Sequence, residues 1–272
     1  MKTRLISAAV LLPVLFLTIW VLPKIVAAIL VGIVAAIAAY ELLYCTGFVR
    51  HIRLVAYSVV AAFLMSLWSH FGAPHEWGVL GMLVYICALF GEMMHNHVKV
   101  RFEKLCLCIA AGLLFPYMLS AIVRILGTYV GRYTILIPFL LAFLPDSGAY
   151  FAGRFFGKHK LAPVISPKKT IEGAVGAVVV AIIGMLLYMF ILHVGFQKEV
   201  DYGVALVYGI VGAAADIFGD LMFSAIKRQT GIKDYGNLIP GHGGALDRFD
   251  SLILVSPLVE SLLIVLPVVT VV

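Results

Sequence analysis

Apolar residues run along this chain in blocks near 20 residues long, broken by short polar segments. About 20 apolar residues is the length a helix needs to cross a bilayer. The blocks fall at 5–22, 25–44, 53–69, 77–94, 105–123, 133–152, 172–194, 203–226 and 251–271. This pattern predicts an all-α, polytopic integral membrane protein of about nine transmembrane helices. Pro13, Pro116, Pro145 and Pro257 fall inside predicted spans, where neighbouring helices can satisfy the freed backbone groups. The first block lacks an Ala-x-Ala-type cleavage site and is read as a retained helix. No fixed-period repeat or inserted soluble segment interrupts the series. The chain is therefore treated as one membrane domain over residues 1–272, with N-terminal helices at 1–132 and catalytic helices at 133–272.

Composition agrees with that reading: 63% of the 272 residues are hydrophobic and 12% are charged, about half the charged share of a soluble domain. The net charge of +6 could suggest nucleic acid. Its distribution points instead to membrane topology. With nine spans, 16 of the 20 Lys and Arg, counting Arg53 at a span edge, fall at the N-terminus and in the loops at 45–52, 95–104, 153–171 and 227–250, all on one side. Lys24, Arg124, Arg132 and Lys198 fall on the other. Basic loops stay in the cytoplasm, so a cytoplasmic N-terminus in the plasma membrane is expected, and no nucleic-acid partner. The four cysteines, Cys45, Cys87, Cys106 and Cys108, lie in or beside apolar blocks and are read as inert, without disulfides.

Polar chemistry is concentrated in residues 216–250, DIFGDLMFSAIKRQTGIKDYGNLIPGHGGALDRFD. Asp216 and Asp220 are spaced i, i+4 on one face of a helix made smooth by Gly209, Gly212, Ala213, Ala214, Ala215 and Gly219. Ionised carboxylates at that depth need pairing, hydration or a metal. A salt bridge to Lys227 or Arg228 is the plain alternative. Asp247 and Asp250 follow at i, i+3, beyond the loop Pro240-Gly241-His242-Gly243-Gly244. Its glycines allow backbone N–H groups to approach an anion. Two carboxylate pairs flanking a basic, glycine-rich turn suit Mg²⁺, which takes few protein ligands and leaves positions for water and phosphate.

A second cluster reads Ser166-Pro167-Lys168-Lys169-Thr170-Ile171-Glu172-Gly173. Ser-Pro is expected as an N-cap and N1 pair, placing two lysines at a helix N-terminus suited to phosphate. Upstream, Asp146-Ser147-Gly148-Ala149-Tyr150 sets another acid near a span end. Glu92 is read as interfacial, and His95 and His97 as a solvated turn. Arg124 and Glu260 are read as anchoring or helix-packing residues, and Glu41 receives no role.

The series Ser224-Ala-Ile-Lys227-Arg228, Lys233-Asp234-Tyr-Gly236, Ile239-Pro240-Gly-His242-Gly243-Gly244 and Asp247-Arg248-Phe-Asp250 resembles the signature of phosphatidate cytidylyltransferases, also called CDP-diglyceride synthases. The Asp146 and Ser166 segments resemble the family's upstream motifs, and Ala245 stands where the family usually has a larger apolar residue. The resemblance implies conversion of CTP and phosphatidic acid to CDP-diacylglycerol and pyrophosphate, with Mg²⁺, at the cytoplasmic face of the lipid bilayer. It also suggests a homodimer. Asp216, Asp220, Asp247 and Asp250 are assigned to metal, with Asp220, Asp250, Lys227 and Arg228 as catalytic groups. Asp146, Ser166, Lys168, Lys169, Lys233, His242, Gly243, Gly244 and Arg248 are assigned to substrate. A CTP-dependent lipid-alcohol kinase and a transporter are the alternatives. Charges gathered at one face argue against the transporter, whose charges sit at the midplane.

Overall fold

The computed structural model describes residues 22–72, 75–236 and 243–270. The first predicted span lies almost wholly outside them, and so does His242. Among the described residues seven helices are long and apolar enough to cross a membrane: Lys24–Cys45, Ile52–Phe71, Glu76–His95, Phe102–Gly127, Gly131–Phe156, Ile171–Phe196 and Tyr202–Thr230. These match the second to eighth predicted spans. The ninth differs. Its helix runs Leu246–Val265 and so begins ahead of the predicted start, taking in Asp247, Arg248 and Asp250. Together with Glu260 these charges make it more charged for its length than the other seven.

The chain forms two compact units. The first comprises the described residues up to Gly127 together with Gln229–Phe249. Its helices are α1 (Lys24–Tyr40), α2 (Ile52–Phe71), α3 (His75–His95), α4 (Phe102–Ile109), α5 (Phe115–Leu119) and α6 (Ala121–Gly127). Two π turns interrupt the α geometry: Glu41–Cys45 closes α1, and Ala110–Leu114 joins α4 to α5. The buried face of α1 is made of small residues, Ala27, Ala28, Gly32, Ala35, Ala38 and Ala39. Small residues let helix backbones close in without a hydrophobic driving force from lipid. Here Ser66 Oγ reaches the Ala28 carbonyl at 2.8 Å. Tyr85 is buried and donates to the Cys108 carbonyl at 2.7 Å, with its hydroxyl 2.8 Å from Ser58 Oγ. At the polar margin Glu92 accepts from Arg53 and Tyr57, both at 3.3 Å, in keeping with an interfacial position. Arg124 lies 4.2 Å over the Tyr117 ring and donates to Ser69 at 3.2 Å.

The second unit comprises Thr128–Arg228 and Asp250–Val272. Among its described residues are α7 (Gly131–Thr134), α8 (Leu136–Phe156), β1 (Lys160–Ala162), β2 (Ser166–Thr170), α9 (Ile171–Phe196), β3 (Glu199–Val200), α10 (Tyr202–Thr230) and β4 (Val269–Thr270). Most of α11 (Leu246–Val265) belongs here, and its first turn belongs to the first unit. Two short antiparallel ladders, β1–β2 and β3–β4, accompany the helices. Glycine sets the closest approaches. A Cβ on Gly148 of α8 would lie 2.6 Å from the Gly176 carbonyl of α9. The smooth face predicted for α10 is used in the same way. Cβ atoms on Gly209, Gly212 and Gly219 would come within 2.8 Å of Ile182, 2.6 Å of Leu141 and 3.0 Å of Ser251.

The Ser166–Pro167 pair does not cap a helix. Ser166–Thr170 is strand β2, with Lys160 opposite Thr170 and Ala162 opposite Ser166. Helix α9 starts only at Ile171, and Thr170 is its N-cap, in extended geometry, accepting from the Gly173 N–H at 3.1 Å. Two competing N-cap signals, Ser166 and Thr170, lie four residues apart. The threonine prevails because the residue before a proline is biased to extended backbone and the strand pairs with β1. Lys168 and Lys169 therefore alternate across a strand and do not share a helix terminus.

Candidate active site

Helix α10 brings its two acids to different depths. Asp216 is 2% exposed, and its Oδ1 has no hydrogen-bond partner. The Ser251 hydroxyl of α11 donates to the same carboxylate. One turn on, Asp220 is half-buried and paired with Lys169 at the end of β2. Asp250, near the start of α11, is 7% exposed and accepts from the Ser251 N–H at 2.9 Å. Asp146 of α8 is exposed, yet it lies within electrostatic range of both Asp216 and Asp250. Lys227, one helical stretch beyond Asp220, lies within range of Asp250.

Four carboxylates from three helices thus repel one another, and two of them are buried. An isolated carboxylate costs several kcal/mol to bury, and hydrogen bonds from one serine do not offset that. Such an arrangement holds negative charge in readiness for cations. The donor set is all oxygen, which suits Mg²⁺ and not a soft metal. Among the described residues no three or more acids, histidines or cysteines converge closely enough to hold a metal alone. That is compatible with Mg²⁺, which is usually held by one or two carboxylates with water and phosphate completing the shell.

The β1–β2 hairpin delivers Lys169 to this cluster, and two contacts fix it. At its base Glu172, in the first turn of α9, accepts from the Lys158 N–H at 3.1 Å and the His159 N–H at 3.3 Å, and its Oε1 lies 2.7 Å from His159 Nδ1. Towards its turn the Arg228 Nε donates to the Ile165 carbonyl at 3.0 Å. Arg228, expected among the catalytic groups, is therefore bonded to the hairpin backbone. Lys168 points to solvent, and Ser166 is half-buried in β2. Sequence reasoning quoted Glu172 within its motif and gave it no task. An acid two residues after a capping threonine, with a histidine at the base of the preceding loop, was the available signal.

The remaining predicted site residues belong to the first unit. The described amides of Tyr235, Gly244, Ala245 and Leu246 donate to protein carboxylates. Asp247 Oδ2 accepts from the Tyr235 N–H at 2.7 Å and the Gly244 N–H at 3.0 Å. Gly243 has φ of +87°, the left-handed region glycine tolerates, and a Cβ there would lie 3.1 Å from Asp247 Oδ2. The next two amides, of Ala245 and Leu246, donate to Glu41 at 3.0 and 2.8 Å. The Gly244 N–H, expected with the loop glycines to meet an anion from outside, and those of Ala245 and Leu246 thus meet two carboxylates of the chain itself. Lys233, Asp234 and Arg248 are exposed.

A family model described as the cytidylyltransferase family matches residues 2–266. A phosphatidate cytidylyltransferase of Staphylococcus aureus (strain COL) is 35% identical over 269 residues, covering 97% of this chain and 99% of the relative. One of Staphylococcus haemolyticus (strain JCSC1435) is 45% identical over 134 residues, 49% of this chain and 50% of the relative. With the model spanning nearly every residue and a relative aligned from end to end, the chain belongs to the cytidylyltransferase family.

Proposed function

We propose that the chain is a phosphatidate cytidylyltransferase: CTP and phosphatidic acid give CDP-diacylglycerol and pyrophosphate, a step of phospholipid biosynthesis. The protein is an enzyme, a nucleotidyltransferase, and a multi-pass membrane protein. The observation that carries the reading is the buried Asp216, with one oxygen unpartnered, in electrostatic range of Asp146, Asp220 and Lys169, while the same Asp146 and Asp220 are in range of the buried Asp250. In the reaction, an oxygen of the lipid phosphate attacks the α-phosphorus of CTP, and the bond to pyrophosphate breaks. The attacking oxygen is already ionised at neutral pH, so no side chain need remove a proton.

Asp216, Asp220 and Asp250 are the residues that would hold Mg²⁺, which supplies neutralisation of charge at the reacting phosphates. The remaining steps fall to basic side chains. Lys169 and Lys227 flank the carboxylate cluster and balance phosphate charge. Arg228 and Glu172 hold the hairpin that presents Lys169. The cytoplasmic placing of this cluster is supported by the division of basic residues, 16 against 4, and by the need of a soluble nucleotide to reach it. Assembly as a homodimer belongs to the same reading and is tested by the mass of the detergent-solubilised protein.

The experiment uses CTP labelled separately at the α- and γ-phosphorus, with phosphatidic acid in mixed micelles. Label from the α position should enter the lipid, and label from the γ position should leave as pyrophosphate. Entry of γ label into a lipid alcohol, with release of CDP, would make the protein a kinase instead.

A further inference from the structure

The proposed reaction uses no acid of the first unit, and Glu41 is the buried one among that unit's described acids. It is 3% exposed although it sits at the end of an apolar helix. Both oxygens are engaged, Oε1 by the Ala245 N–H at 3.0 Å and Oε2 by the Leu246 N–H at 2.8 Å. These are two of the amides that a helix start leaves without intrahelical partners. Glu41 thus caps α11 from a helix at the far end of the sequence, with its negative charge at the positive end of the helix dipole.

Three further features show that the site is built around this side chain. Glu41 opens the π turn Glu41–Cys45. A π turn adds a residue to the helical circuit and so re-aims the side chains that follow, and such turns recur at functional sites. Gly244 leaves room for the carboxylate, since a Cβ there would lie 2.5 Å from both Oε atoms. Gly236, on the other side of the loop, is pressed against the same group and leaves no space for a Cβ either. A second carboxylate, Asp247, receives the amides of Tyr235 and Gly244. Between them the two acids hold the amides of Tyr235, Gly244, Ala245 and Leu246, which lie next in sequence to Asp234, Gly243 and Asp247 and within two residues of Lys233 and Arg248.

We infer that Glu41 is a positioning residue for cytidylyl transfer: by accepting the Ala245 and Leu246 amides it fixes where the basic, glycine-rich segment ends and where α11 begins. It acts on the loop and on no substrate atom. The inference rests on the function proposed above, because it assigns the fixed segment to substrate binding.

The test compares wild type with Glu41→Gln, Glu41→Asp and Gly236→Ala in detergent, with steady-state kinetics for CTP and hydrogen exchange of the 231–250 region. Gln keeps the shape but turns a donor toward one of the two amides. Ala at 236 leaves Glu41 intact and pushes it from its seat. Glu41→Gln and Gly236→Ala should each lower kcat/KM for CTP at least tenfold, with a raised KM, and speed exchange only within 231–250. The double variant Glu41→Asp with Gly236→Ala should recover part of the loss, because the shorter acid makes room for the methyl group. Kinetics within twofold of wild type in both single variants would overturn the inference. So would faster exchange across every helix with unchanged kinetics in the folded fraction, the result of a merely structural acid. If Glu41→Gln fails to insert, Gly236→Ala and its rescue decide the matter alone. Absence of cytidylyl transfer in the wild type would instead sink the function itself, with the exchange of 231–250 in Glu41→Gln still reporting on the cap.

Discussion

The Lys169 ammonium is paired with the Asp220 carboxylate, while Lys168, its neighbour in the strand, faces solvent. Alternation along β2 separates two residues that look equivalent in sequence. They should therefore differ in effect. Lys169→Ala removes the cation paired with Asp220 in the carboxylate cluster, and turnover should fall by roughly a hundredfold, the order for loss of one donor to developing charge. Lys168→Ala should change the rate by less than about threefold, the effect of an exposed charge. Steady-state rates at varied CTP and lipid check both, and equal losses would remove the structural distinction between the two lysines.

What was legible in the sequence divides by range. The glycine face of α10 could be read because it is a local pattern, and its residues meet Ile182, Leu141 and Ser251 as a smooth face should. The seven described spans were legible for the same reason, since hydropathy needs no partner. The hairpin was not, because Ser166-Pro167 carries a helix-start signal that Thr170 carries as well, and only pairing with β1 decides between them. Glu41 was out of reach altogether: its partner Ala245 lies 204 residues away. An acid inside an apolar block is itself a signal that some partner must exist, but the sequence does not say which.

Helix contact through glycine makes a prediction about stability that is independent of catalysis. A side chain at Gly148 would meet the Gly176 carbonyl and Val180 at 2.6 and 2.8 Å, and the first of these is backbone. Gly148→Val should destabilise the protein by about 1–3 kcal/mol, the usual cost of overpacking. Gly81 has nothing within 4 Å of a Cβ, so Gly81→Ala should leave stability unchanged or slightly raised. Thermal unfolding of the two variants in the same detergent measures the contrast. Equal midpoints would mean that α8 and α9 are not in close contact at that point.

Topology can be tested across a single helix. Gln197 caps the C-terminus of α9 in the left-handed conformation, and Gln229 lies in the last turn of α10; both are exposed. One membrane-spanning helix separates them, so single cysteines at these positions should react with an impermeant thiol reagent from opposite sides, Gln229 from the cytoplasm. The background must lack Cys45, Cys87, Cys106 and Cys108, of which only the last is buried. Labelling of both positions from the same side would remove either α10 as a span or the orientation drawn from the basic loops.

The carboxylate cluster makes the sharpest prediction. Asp216 is enclosed with an oxygen unpartnered, Asp250 is nearly as buried, and Asp220 lies one helical turn from Asp216. Two functions would account for this group. If the acids hold Mg²⁺, replacing one by Asn keeps its shape, removes its charge and weakens the neutralisation of the reacting phosphates. Turnover should fall roughly a hundredfold or more in Asp216→Asn, Asp220→Asn or Asp250→Asn, and the Mg²⁺ concentration needed for half-maximal rate should rise. If the acids serve only to bind Lys169 and Lys227, Asn should lower thermal stability and leave the catalysis of the surviving protein largely intact. Relief of repulsion among four carboxylates sharpens the contrast. The Asn variants would then match or exceed wild type in stability without metal, while the stabilisation that wild type gains from added Mg²⁺ would shrink. Pyrophosphate release and thermal midpoints, both followed against Mg²⁺ concentration, separate the two accounts. Near-normal turnover with an unchanged Mg²⁺ dependence in all three variants would end the metal assignment.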